Sequence, residues 1–154
     1  MLTYLDSLQG MEHCGETVLE VIGSRYQKVS WKRYGFQVTI PEGAVFKDAT
    51  VHLAVKSILS GQFKLPDDAC LVSDIYWVSA SEKFLKAVSV HIQHCAMICS
   101  KEEASNYKFI LGRCTQESRP YTFTEKDGIF TPNSQVATIS VKQFSIFAVI
   151  FRGR

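Results

Sequence analysis

The chain predicts an all-β protein, an antiparallel β-sandwich of about nine short strands with little helix. Three observations carry this. Short runs of alternating apolar and polar residues recur along the chain, and period-two alternation marks a strand with one face in a core and the other towards water. Turn residues separate the runs: Pro41-Glu42-Gly43, Gly61, Leu65-Pro66-Asp67-Asp68, Asp127-Gly128 and Thr131-Pro132-Asn133-Ser134. Helical signals are confined to two brief stretches, Thr3–Gln9 and the residues after Ser100. A barrel is the other architecture that this pattern allows.

Residues 1–26 are mixed in pattern, with Gly10 and Gly15, and are expected to form an N-terminal extension or linker outside the sandwich. Within them Thr17–Ile22 is a candidate first strand. The sandwich domain is placed at 27–152, with a tail at 153–154. Gln27–Trp31 leads into Tyr34–Val45, the stretch around which the rest is organised. There Phe36, Val38 and Ile40 alternate with Gln37 and Thr39. Pro41 ends that strand because it has no N–H for a ladder. Gly43 supplies a position free to take φ > 0, so Pro41-Glu42-Gly43 reads as a tight turn, and Ala44 and Val45 start the return.

Thr50–Ile58 alternates, with Val51, Leu53 and Val55 on one face and His52, Ala54 and Lys56 on the other. Cys70–Ala80 is a long β-prone run containing Ile75-Tyr76-Trp77-Val78. After a polar turn at Ser79–Lys83, Phe84–Gln93 sets Val88, Val90 and Ile92 on one face. Ser100-Lys101-Glu102-Glu103 has the Ser-x-x-Glu form of a capping box and predicts a helical turn or two. Tyr107–Gly112 is a strand and 112–120 a polar loop. Tyr121–Phe123 and Gly128–Thr131 read as hairpin arms joined by Thr124–Asp127, with Asp127-Gly128 as the turn pair. Gln135–Val141 and Phe144–Phe151 complete the set. Ile146–Phe151 is apolar at every position, which predicts a strand with core on both faces.

A length of 154 residues suits one domain with a single sizeable core. With 46% hydrophobic and 21% charged residues the balance is that of an ordinary globular domain. A net charge of +2 gives no electrostatic reason to expect nucleic acid or an acidic membrane as the main partner. No apolar run approaches the ~18 residues of a spanning helix, and Met1 is not followed by a basic region and an apolar run of the secretory kind. The five cysteines, Cys14, Cys70, Cys95, Cys99 and Cys114, are odd in number and scattered, unlike a secreted disulfide framework. Together with the absence of an Asn-x-Ser/Thr sequon, this points to reduced thiols and a cytoplasmic location.

Two blocks carry a family resemblance. Gly35-Phe36-Gln37-Val38-Thr39-Ile40-Pro41-Glu42-Gly43-Ala44-Val45 resembles the signature near the start of the ZU-five domain, which is shared by zonula occludens proteins, Unc-five netrin receptors, ankyrins and some death-domain adaptors. Phe84-Leu85-Lys86-Ala87-Val88-Ser89-Val90-His91-Ile92-Gln93-His94-Cys95 resembles a later strand of that family, with Ala87 and Gln93 where prolines are usual. Phe144–Val149 falls where the family's last strand lies, so the resemblance covers roughly 28–151. It implies a β-sandwich that works as a protein–protein interaction module of an intracellular signalling or membrane-cytoskeleton scaffold protein. The partners are then proteins or neighbouring domains of the same chain, with no direct membrane insertion, and the isolated domain is monomeric.

Catalysis has one sharp candidate. Some members of the resembled family cut their own chain within His-Phe-Ser, the Ser hydroxyl attacking the preceding carbonyl while a base takes its proton. Phe144 and Ser145 match, but Gln143 stands where the histidine would be, and a neutral amide is no base. The expectation is therefore a non-enzyme, with self-cleavage between Phe144 and Ser145 as the alternative.

Other candidates have plainer explanations. His91, His94, Cys95 and Cys99 are metal-ligand types, but their spacing is irregular and His94 points away from His91 on a strand, so no metal is expected. His94 and Cys95, as neighbours, would likewise face opposite ways and fail as a nucleophile–base pair. The pairs Asp67/Asp68 and Glu102/Glu103 fall in a loop or helix start, where carboxylates are solvated. No Gly-rich phosphate loop is present and no cofactor is expected. Lys32 and Arg33, beside Trp31, Tyr34 and Phe36, are the candidate binding residues, a small basic-aromatic patch without the extended basic face that nucleic acid requires.

Overall fold

Phe36, Val38 and Ile40 are buried and Gln37 and Thr39 half-buried, so the alternation in the organising stretch becomes a strand with one face in a core. In the computed structural model residues 11–61, 63–65, 67–112 and 121–152 are described, and among them thirteen strands occur. In chain order these begin with β1 (Met11–Ile22), β2 (Gln27–Trp31), β3 (Phe36–Ile40), β4 (Thr50–Gly61), β5 (Phe63–Lys64), β6 (Ala69–Leu71) and β7 (Ile75–Ala80). They continue with β8 (Val88–Gln93), β9 (Tyr107–Gly112), β10 (Tyr121–Lys126), β11 (Ile129–Phe130), β12 (Val136–Val141) and β13 (Ile146–Arg152). Two sheets pack together: one of eight strands in the order β1-β4-β7-β13-β9-β10-β5, with β6 also on β13, and one of five in the order β11-β12-β8-β3-β2. Pairing is antiparallel throughout except between β10 and β5. The predicted β-sandwich is present, with more strands than the nine expected and with β1 and β4 longer than expected.

The sandwich core lies between the sheets. Phe36, Val38, Ile40, Val88, Val90 and Ile92 come from the small sheet. Leu53, Val55, Tyr76, Val78, Phe109 and Phe147 face them from the large one. Strand alternation then puts Ala54, Trp77, Ile110, Ile146, Ala148 and Ile150 on the far face of the large sheet, and these are buried too, with Ile58, Ile75 and Phe123. The topology explains how. β4 and β5 are separated by one residue, yet β5 pairs with β10 at the opposite limit of the strand order. The sheet must curl until its β10 edge reaches the end of β4, and the curl encloses a second core. The apolar run Ile146–Phe151 is thus explained, since β13 feeds both cores.

Four expectations need correction. Residues 1–26 do not all stand outside the sandwich: Met11–Ile22 pairs with β4 along its length and Val21 is buried. Thr17, Leu19 and Val21 turn inward while Glu16, Val18, Glu20 and Ile22 face out, and the apolar residues on the outer face blur the alternation. The proposed helix Thr3–Gln9 lies outside the described residues, as does the loop 113–120. Second, Tyr121–Phe123 and Gly128–Thr131 are not arms of one hairpin. β10 pairs with β9 in the large sheet and β11 with β12 in the small one, so Asp127-Gly128 is where the chain changes sheets. A Cβ on Gly128 would strike the Phe109 ring and come 2.9 Å from the Thr138 carbonyl oxygen, so glycine is required there for close approach.

Third, Cys70–Ala80 is broken at Val72–Asp74. β6 and β7 both lie along β13, and at the break Val72 N–H reaches the Val149 carbonyl at 3.0 Å while Val149 N–H donates to Ser73 Oγ at 2.8 Å. Fourth, Ala54 and Lys56 are buried, because their face of β4 looks into the curl rather than to water.

The Gly43 turn is as expected. Gly43 has φ 83°, and Ala44 N–H closes the turn on the Pro41 carbonyl at 3.2 Å. The connections 23–26, 41–49, 81–87 and 142–145 gather at this end of the sandwich. Gly43 N–H donates to Ser24 O at 2.7 Å, Gly23 N–H to Ala49 O at 2.9 Å and Leu85 N–H to Ala44 O at 2.8 Å. Across the molecule, a short helix α1 (Lys101–Ala104) realises the predicted cap: Ser100 Oγ accepts Glu103 N–H at 3.1 Å, and the Glu103 carboxylate accepts Cys99 N–H at 2.8 Å. Among the described residues no helix is long and apolar enough to cross a membrane.

Candidate functional site

Lys32 and Arg33 lie on a single 3-10 turn, Lys32–Tyr34, which links β2 to β3 at the end of the sandwich opposite Gly43. Both are exposed. The Trp31 and Tyr34 rings meet with centroids 4.3 Å apart, and the Arg33 guanidinium sits 5.8 Å from the Tyr34 ring centre, a cation–π distance. The two cations diverge. Arg33 borders a groove of about 530 Å³ between the sheets, whereas Lys32 borders a smaller recess on the outer face of the small sheet, beside Gln37 and His91.

The groove has three walls. Arg33 and Tyr34 form one, the break Val72–Asp74 a second, and Gln93–Cys95 the third. Backbone bonds fix them together: Gln93 N–H to Gly35 O at 2.9 Å, Cys95 N–H to Val72 O at 2.9 Å and His94 N–H to Gln135 O at 2.8 Å. Tyr76, buried beneath, donates its phenol proton to the Tyr34 carbonyl and so ties the turn to the large sheet. Burial and the nearby Asp74 carboxylate both raise the phenol's pKa, so it stays a donor at any physiological pH. Tyr76 and Asp74 were not anticipated as site residues. The one available signal was a polar Ser73-Asp74 interrupting an otherwise apolar run.

The histidines part company. His91 stands on the outer face of β8 between two threonines, with Nε2 2.8 Å from Thr39 Oγ1 and Nδ1 2.8 Å from Thr138 Oγ1, so it staples three adjacent strands. Burial, then the charge of Lys28, lowers its pKa. His94 points inward, with its ring among Tyr107 and Phe130. Its Nδ1 accepts Ala96 N–H at 3.1 Å, which puts the proton on Nε2, and among the described residues that buried nitrogen has no partner. Burial lowers this pKa as well. Cys70, Cys95 and Cys99 are free and exposed, while the side chain of Cys14 and all of Cys114 lie outside the described residues. Among the described residues no three His, Cys, Asp or Glu side chains converge as metal ligands would. Asp67 and Asp68 are exposed, Glu102 is exposed, and Glu103 is engaged as the helix cap.

Gln143, Phe144 and Ser145 lie between β12 and β13 at the Gly43 end. Gln143 is exposed. Phe144 is half-buried, edge-on to Phe84 at 5.6 Å and to Phe147 at 6.3 Å. The Ser145 carbonyl accepts Val78 N–H at 2.9 Å, which starts the β13 ladder. Its hydroxyl is directed 3.4 Å away at the carbonyl of Ile146, downstream of the Phe144–Ser145 bond rather than at it. The φ angles of both residues are negative, so the left-handed region stores no strain here.

No family model matches the chain, and no curated protein matches it.

Proposed function

We propose that this chain is a non-catalytic protein–protein interaction module of the ZU-five kind, acting in an intracellular signalling or membrane-cytoskeleton scaffold protein and packing against neighbouring domains or a partner. The observation that supports it best is the groove beside Arg33: an open channel with a cation over a tyrosine ring and a carboxylate, on walls held by backbone hydrogen bonds. Such a surface is pre-organised for a polypeptide and loses little entropy on binding. The non-catalytic part rests on Gln143, which cannot take a proton, and on a Ser145 hydroxyl aimed away from the bond it would have to attack.

Quantitative capture from cytosol with the wild-type domain and with a Lys32→Glu/Arg33→Glu variant tests the reading. The variant should lose the main captured protein while its unfolding midpoint is retained. Equal capture by both would remove the groove from consideration, and two fragments joining at Phe144/Ser145 in the intact-mass spectrum would overturn the non-catalytic assignment.

A further inference from the structure

The Gly43 end of the sandwich, away from the groove, exposes four large apolar side chains, three from separate connections and one, Ile22, at the end of β1. Ile22 is 52% exposed, Tyr26 57%, Phe46 65% and Leu85 47%. Those connections are laced by the backbone bonds of Gly23, Gly43 and Leu85, so the apolar tips form one fixed crown rather than loose loops.

Exposed cations are interleaved with them in sequence: Arg25-Tyr26, Phe46-Lys47, Lys83, Leu85-Lys86, and Lys142 beside them. Against these five cations the four connections carry three carboxylates, Glu42, Asp48 and Glu82, an excess of two that equals the net charge of +2 on the whole chain. The balance of the whole sequence conceals this concentration at one pole.

We propose that this pole docks on an anionic lipid surface, with Phe46, Tyr26, Ile22 and Leu85 entering the headgroup boundary and the lysines beside them meeting lipid phosphates and carboxylates. Three features select a bilayer over a protein partner. The apolar groups sit on separate tips, as shallow insertion requires, and not on a flat continuous face. Lysine is depleted at protein interfaces, because its desolvation is costly, whereas next to an inserted tip it extends its stem along the apolar boundary and keeps its charge at the headgroups. Tyr26 carries an amphipathic ring of the kind enriched at that boundary, and Phe46 an apolar ring suited to the inserted face.

Co-sedimentation of the purified chain with vesicles of phosphatidylcholine, alone or mixed with phosphatidylserine, is the test. The chain should pellet with the mixed vesicles and much less with phosphatidylcholine alone. Lys47→Gln and Lys83→Gln should each weaken that binding about fivefold, the scale for one charge at an anionic surface. Phe46→Ser should weaken it by about tenfold through lost apolar burial. The groove variant Lys32→Glu/Arg33→Glu should bind vesicles as the wild type does, which separates the two poles. No pelleting with mixed vesicles, or pelleting indifferent to Phe46→Ser and Lys47→Gln, would overturn the proposal. So would a concentration-dependent dimer that Phe46→Ser abolishes without any vesicle binding, since it would assign the crown to a second copy of the chain.

Discussion

The two sheets treat their faces differently. The small sheet buries one face and leaves the other to Gln37, Thr39, Ser89, His91 and Thr138, held by cross-strand bonds such as the Thr39–His91–Thr138 staple. The large sheet buries both along its central strands: Phe147 and Val149 serve the sandwich core, while Ile146, Ala148 and Ile150 serve the core inside the curl. One strand therefore couples two cores, and the folded state of either depends on the same backbone. A one-sided sheet can exchange a residue on its wet face at little cost, but β13 has no wet face over Ile146–Ile150.

The largest expected effects break this comparison directly. Phe147→Ala should destabilise the chain by about 3–5 kcal/mol and Ile146→Ala by about 2–5 kcal/mol, the range for emptying tightly packed positions. If denaturant unfolding shows less than about 1 kcal/mol for Ile146→Ala, the curl does not enclose a true core. A smaller loss is expected for Gly43→Val, about 1–3 kcal/mol, because φ 83° is strained for any side chain. An unchanged midpoint would show that the turn relaxes without cost.

Acid sharpens the contrast from the other side. Burial lowers the pKa of His91 and His94 from 6.5, so just below that pH the unfolded chain binds more protons than the folded one. Their contribution to stability is complete above about pH 6.5 and is lost as the pH falls through their folded values. Unfolding midpoints should drop between pH 7.5 and pH 5, and less so in a His94→Phe variant. A pH-independent midpoint in the wild type would contradict the assignment. The smallest effect is at the β12–β13 corner: Ser145→Ala should leave both intact mass and midpoint nearly unchanged, since the hydroxyl makes only a long contact with its neighbour's carbonyl. Gln143→His tests whether a base alone restores scission, read as two fragments by mass.

What could be read in advance follows from these faces. β3, β8 and β12 alternate because one side is wet, and period two located them. The Gly43 turn and the Ser100 cap were legible because each depends on residues adjacent in sequence. The large sheet was harder, because burying both faces erases the alternation: the break at Val72–Asp74 vanished within an apolar run, and β4 looked half-wet where Ala54 and Lys56 are buried. Asp127-Gly128 has hairpin chemistry, but β10 pairs with β9 and β11 with β12, partners that residues adjacent to the turn do not announce. The groove likewise joins residues from four separated segments; Arg33, His94 and Cys95 stood out by type, but nothing adjacent in sequence tied them to Ser73, Asp74 or Tyr76.

β13 has one further consequence. Its backbone is bonded on one side to β9 over Ile146–Phe151 and on the other successively to β7, Ser73 and β6. A mechanical load applied at Arg152 along the strand therefore stretches two ladders in parallel, in shear, whereas among the described residues β1 pairs with β4 alone. Force entering through β13 is therefore shared between both of its neighbours, whereas force entering through β1 bears on a single ladder.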